Sequence, residues 1–203
     1  AALVEAGRGC HLARSSGEIA MFIETQPTPN PATLKFLPGR PVLPRGAAEF
    51  TDPRDAAVSP LAERIFAVEG VTGVYLGADF VSVTKREDVP WHELKPAVLG
   101  AIMEHYLSGD PVLREGYEAE TSSSEDADPV VARIKELIET RVRPAVARDG
   151  GDVVFRGFER GIVYLQMRGA CSGCPSSVMT LKAGIENLLR YYVPEVVEVR
   201  AVG

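Results

Sequence analysis

The segment Glu118-Ala119-Glu120-Thr121-Ser122-Ser123-Ser124-Glu125-Asp126 constrains this chain more than any other stretch. It holds no large apolar residue, and it carries four carboxylates without a basic group. Chain of that composition cannot recover its conformational entropy by packing and stays solvated. It reads as a flexible acidic linker, and it divides 203 residues into parts of domain size. Charge follows the same division: residues 21–115 carry nine basic and thirteen acidic groups, and residues 128–203 carry eleven and nine. The expected organisation is an unstructured extension over 1–20, a domain over 21–115, a linker over 116–127 and a second domain over 128–203.

Each domain has the text of a small mixed fold. In the first, strands are expected at Phe22–Thr25 and Thr33–Leu37, separated by the turn Pro27-Thr28-Pro29-Asn30-Pro31. Ser59-Pro60 opens a helix, with serine as N-cap and proline at the first helical position. Val71–Leu76 and Phe80–Thr84 form a hairpin. A last helix runs from Pro90 to about Leu107, with Trp91, Leu94, Val98, Ile102 and Tyr106 on one core-facing stripe. The second domain reads as helix, strand, strand, helix, strand. Asp128-Pro129 starts its first helix, Pro144 kinks or ends it, and strands follow at Val153–Phe158 and Ile162–Arg168. A second helix carries Val178, Leu181, Ile185, Leu188 and Tyr192, and Val196–Val202 closes the chain as a strand. The fold class is α+β, with helices on one side of each small sheet.

Composition removes several functions. No apolar run approaches the ~18 residues of a membrane span, so no membrane partner is expected. The second domain, at net +2, has no basic stripe or aromatic platform, which argues against nucleic acid. Three cysteines in a chain this long do not describe a secreted disulfide scaffold. Cys10 stands alone in the extension, while Cys171 and Cys174 form a C-x-x-C pair.

That pair sits in Met167-Arg168-Gly169-Ala170-Cys171-Ser172-Gly173-Cys174-Pro175-Ser176-Ser177, between a strand and a helix. Pro175 suits the first helical turn and puts Cys174 near the N-cap, where free N–H groups and the helix dipole favour thiolate. Gly169 and Gly173 allow the tight loop a thiol pair needs. Spacing alone leaves three chemistries open: a thiol–disulfide redox pair, a structural zinc site, or an iron–sulfur site. The metal readings need four ligands, yet residues 128–203 contain two cysteines and no histidine. One chain supplies half a site, and two chains about a two-fold axis would supply all of it.

Beyond spacing, residues 128–203 resemble the C-terminal domain of the NifU-like (Nfu) family of iron–sulfur cluster proteins. The resemblance rests on three ordered blocks: the run from Arg143 to Asp152 (RPAVARDGGD), that from Gly169 to Ser177 (GACSGCPSS), and that from Thr180 to Glu186 (TLKAGIE). Residues 21–115 are similar to the family's N-terminal domain through the run from Phe22 to Phe36 (FIETQPTPNPATLKF). The resemblance implies that Cys171 and Cys174 of two chains hold a [4Fe-4S] cluster at a homodimer interface. It implies an iron-binding scaffold or carrier that receives a cluster from upstream assembly proteins and passes it to apo iron–sulfur proteins. Such a protein is not an enzyme. The alternatives are a C-x-x-C thiol–disulfide oxidoreductase and a zinc-bridged dimeric module.

Other candidates have plainer readings. Asp149-Gly150-Gly151-Asp152 reads as a turn, Arg168 as a solvated strand-end arginine that could also offset cluster charge, and Lys182 as an exposed helix residue. His92 and His105 read as surface histidines, and Cys10 as incidental. Arg8, Arg14, Ser15 and Ser16 hint at a transit peptide, but Glu5 and Glu18 oppose it. The cytosol is expected, or the mitochondrial matrix in a eukaryote.

Overall fold

The computed structural model describes residues 22–117, 128–172 and 175–202. The N-terminal extension, the linker segment 118–127, Gly173 and Cys174 lie outside the described residues.

The first domain is a five-stranded antiparallel sheet of order β1-β2-β5-β4-β3, with two helices packed on one face. Its strands are β1 (Glu24–Pro27), β2 (Thr33–Leu37), β3 (Ala48–Phe50), β4 (Val71–Leu76) and β5 (Val81–Lys85); its helices are α1 (Pro60–Phe66) and α2 (Trp91–Ser108). Period-two alternation sends Phe36, Phe50, Val74, Leu76, Val81 and Val83 inward, against Leu61, Ile65, Leu94, Val98 and Ile102 of the helices. Ser59 caps α1: its Oγ accepts from Ala62 N at 3.1 Å and donates to Val112 O at 2.6 Å. One hydroxyl thereby starts a helix and ties down the segment after α2.

Three details depart from the sequence expectation. β1 begins two residues later than Phe22, which is exposed. The short strand β3 was not anticipated, and it exists by pairing with β4. His105 is also not at the surface. It is 1% exposed on the apolar face of α2, one turn beyond Ile102, with Nδ1 3.3 Å from Arg64. Burial, then the Arg64 charge, lowers its pKa, so it packs as a neutral ring. His92 is exposed.

The second domain has α3 (Pro129–Leu137), α4 (Arg143–Arg148), α5 (Pro175–Tyr192) and the sheet β6-β7-β8, formed by β6 (Gly151–Glu159), β7 (Ile162–Gly169) and β8 (Glu198–Val202). β6 and β7 make an antiparallel hairpin, while β8 runs parallel to β7 after the α5 crossover. Asp128 caps α3 through Val130 N at 2.8 Å. Pro144 does not end the helical path. A π-helical stretch over Ile138–Val142 precedes it, and α4 starts at Arg143 with the proline in its first turn. Proline has no N–H to donate and its ring crowds the carbonyl four residues back, so the widened turn absorbs both effects. Ile134, Ile138, Val163, Leu165, Ile185, Leu189 and Val199 form the core between helices and sheet.

Candidate functional site

The C-x-x-C segment joins the end of β7 to the start of α5, and the structure brings Cys171 and Gly169 together there. Gly169, the last residue of β7, has φ +61°, a backbone region that side chains disfavour. A Cβ on it would lie 2.8 Å from Gly150 O, so the next turn leaves no room for one. Cys171 follows in a tight turn closed by Cys171 N to Arg168 O at 3.3 Å and Ser172 N to Gly169 O at 3.1 Å. Its thiol is packed so closely on β6 that a Cβ on Gly151 would sit in its van der Waals shell. Cys171 is 7% exposed. Burial, reinforced by the Asp149 and Asp152 charges, pushes its pKa up to about 12. At neutral pH this thiol is protonated; the expectation of thiolate at the N-cap belongs to Cys174. Gly173 and Cys174 belong to the same segment of sequence but lie outside the described residues.

Asp149-Gly150-Gly151-Asp152 makes the turn between α4 and β6, with Gly150 at φ +77°. Asp152 is buried and takes a two-point ion pair from Arg143, at 2.7 and 2.8 Å. Arg143 also reaches Glu139 at 2.9 Å, and these partners raise its pKa, the Asp152 hydrogen bond foremost. Such a pair costs desolvation but fixes geometry, because removing one partner strands a buried charge. The turn is therefore an anchored element behind the thiol.

Residues of the first domain complete the surroundings, and the sequence reading missed them. Lys35 Nζ donates to Ala147 O at 2.8 Å and Arg148 O at 3.3 Å, the last carbonyls of α4. Ser82 Oγ donates to Gly150 O at 2.5 Å. The Tyr75 hydroxyl donates to the Asp152 carboxylate, and burial and that carboxylate hold its pKa above the usual phenol range. Glu49 Oε1 accepts from Gly169 N at 2.8 Å, and Asn30 Nδ2 donates to Ser172 O at 3.2 Å. Arg168 is 6% exposed, with Nε 3.9 Å from Glu49, and is not the solvated residue expected. Lys182 is half-buried and 3.9 Å from Glu198.

Beside Cys171 runs an apolar groove of about 550 Å³ between α4 and α5, walled by Val146, Leu181, Ile185 and Leu188, with Pro29 of the first domain at its rim. Among the described residues no three His, Cys, Asp or Glu side chains converge as a metal site.

The family model described as "Scaffold protein Nfu/NifU N terminal" matches residues 23–109, and that described as "NifU-like domain" matches residues 134–200. The human protein named "NFU1 iron-sulfur cluster scaffold homolog, mitochondrial" is 50% identical over 90% of this chain and 72% of its own length. The chain belongs to the Nfu/NifU family. Arabidopsis thaliana "NifU-like protein 4, mitochondrial" is 54% identical over 87% of this chain. A Drosophila erecta protein with the same name as the human one is 51% identical over 92% of this chain and 67% of its own length. The chain spans 64% of the length of the Arabidopsis relative. Both family models fall on mixed helix–strand units, so the Nfu chain is α+β with two domains. No described helix is long and apolar enough to cross a membrane.

Proposed function

We propose that this Nfu chain is a scaffold and carrier for a [4Fe-4S] cluster, bound between two copies by Cys171 and Cys174 of each. The observation that carries the reading is a half-complete donor set: two thiols in one strand-to-helix segment, in a domain with no other cysteine and no histidine. Thiolates are the soft donors that iron–sulfur clusters take, four to a cluster. Family membership and the relatives' printed scaffold names supply the class of cargo.

The cluster is cargo, and the chain's own residues hold and release it. Gly169 sets the bend that presents Cys171, and we assign Gly173 the same task beside Cys174. Arg168 puts a positive side chain next to the loop in sequence. The homodimer meets through the cluster, so ligand exchange with an incoming apo-protein can open it. Upstream assembly proteins and apo iron–sulfur proteins are the partners, and no turnover is expected. The division at 21–115, 116–127 and 128–203 places this chemistry in the second domain. The relatives' mitochondrial names favour the matrix over the cytosol first expected.

A dithiol oxidoreductase would use the same two thiols, Cys171 and Cys174, as an internal disulfide. Anaerobic reconstitution with iron and sulfide separates the readings. Cys171→Ser and Cys174→Ser should each abolish the brown chromophore, while Cys10→Ser should leave it unchanged. Loss of colour in Cys10→Ser, or its retention in either C-x-x-C variant, contradicts the assignment.

A further inference from the structure

The turn that carries Cys171 is closed largely by its own backbone. Cys171 N donates to Arg168 O at 3.3 Å, and Ser172 N and Oγ both donate to Gly169 O, at 3.1 and 2.8 Å. Ala170 N reaches Gly150 O at 3.1 Å, which ties the turn to the residue before β6. Two other backbone groups of the turn bond to the first domain instead. Gly169 N–H, two residues before Cys171, meets Glu49 Oε1 at 2.8 Å. Ser172 C=O, one residue after Cys171, meets Asn30 Nδ2 at 3.2 Å. A buried backbone group needs a partner, and here the partners are side chains 120 and 142 residues away in sequence.

Both side chains are oriented by their own domain. Asn30 is 7% exposed; its Oδ1 accepts from Ala32 N at 3.0 Å, and its N–H donates to Thr28 Oγ1 at 3.2 Å. A backbone N–H only donates and a carbonyl only accepts, so the Asn30 amide is fixed with Nδ2 toward Ser172 O. Glu49 is the middle residue of β3, in register with Tyr75 of β4, and its other oxygen lies 3.9 Å from Arg168 Nε. Asn30 belongs to the turn between β1 and β2, at one edge of the sheet, and β3 is the other edge. The chain on either side of Cys171 is therefore gripped from two separate places on one sheet.

We propose that Asn30 and Glu49 are positioning residues for Cys171: by holding the Ser172 carbonyl and the Gly169 amide, the first domain fixes the backbone that carries this thiol. The proposal rests on the carrier reading, which makes Cys171 a cluster ligand. A ligand whose backbone is already ordered gives up less freedom when cargo arrives, so a held Cys171 binds more tightly than a loose one. The first domain, which has no cysteine, contributes to cluster binding without supplying a ligand.

The test uses the full chain. Asn30→Asp keeps an oxygen for Ala32 N but sets a carboxylate against the Ser172 carbonyl. Glu49→Ala removes the acceptor for Gly169 N–H, and Glu49→Gln restores one without the charge. In the apo chain, amide hydrogen exchange at Cys171 and Ser172, read by NMR, should quicken roughly tenfold in Asn30→Asp and Glu49→Ala. Glu49→Gln should stay within about twofold of the parent, and amides of β4 and β5 should keep their rates in every variant. After anaerobic reconstitution, Asn30→Asp and Glu49→Ala should lose iron to a chelator several-fold faster than the parent, and Glu49→Gln should not. Parent exchange rates at Cys171 and Ser172 in both disruptive variants, or faster exchange without faster iron loss, overturn the positioning role. If Asn30→Asp does not fold, the two Glu49 variants decide it. A parent chain that takes up no cluster overturns the carrier reading instead, while apo exchange still reports whether Asn30 and Glu49 hold the backbone.

Discussion

At the scale of residues, the chemistry turns on how a thiol is kept. Cys171 is held protonated by burial and by two nearby carboxylates, so its folded pKa of about 12 exceeds the ordinary value of 9.0. The sign of the linkage follows. A folded state that binds the proton more tightly gains stability that is fully present below about pH 9 and is lost as pH rises toward about 12. Urea unfolding of the apo chain should therefore show a midpoint that falls across that alkaline window, and Cys171→Ser should remove part of the fall. An unchanged slope in the variant would mean that another group carries it. Sequence alone points to thiolate at Cys174, from its place before Pro175; nothing local to the loop marks Cys171 as protonated. What raises the pKa is distant in sequence from the loop: Asp149 and Asp152, and the closure against β6. His105 teaches the reverse. It follows Leu94, Val98 and Ile102 at helical steps, so its burial was legible as periodicity, and reading it as a surface histidine set that signal aside.

At the scale of elements, caps and alternation carried most of the fold. Ser59-Pro60 and Asp128-Pro129 start helices where their chemistry says, and β2 and β4 fall on the runs their alternation marks. Ser59→Ala should cost about 1–2 kcal/mol by the loss of an N-cap, read as a lower urea midpoint. Because Ser59 Oγ also holds Val112 O, hydrogen exchange should rise in residues 112–114 as well as in α1. A midpoint shift without that second change would show that the hydroxyl acts on the helix alone. The elements that escaped the sequence are those made by partners. β3 is three residues long and is defined by pairing with β4. The π-helical stretch before Pro144 depends on a continuing helix, where proline alone predicts a kink or an end.

At the scale of the whole molecule, two small domains share one functional segment. Alternation in β2, β4 and β5 turns Lys35, Tyr75 and Ser82 away from the first core, but nothing local could say what lies over them. Their burial comes from long-range approach, including Lys35 to Ala147 and Glu49 to Gly169. Hydrogen bonds with one charged partner contribute a net ~1.5–3 kcal/mol each, so a handful of them is a substantial tie between the domains. The central proposal is that Cys171 and Cys174 are half of a shared four-thiolate site. Native mass spectrometry of the anaerobically reconstituted full chain tests it most directly. The account predicts a species of two chains with four irons and four sulfides, which falls to apo monomer when either cysteine is replaced. A cluster carried by a single chain, or a dimer whose iron content survives both replacements, would contradict it.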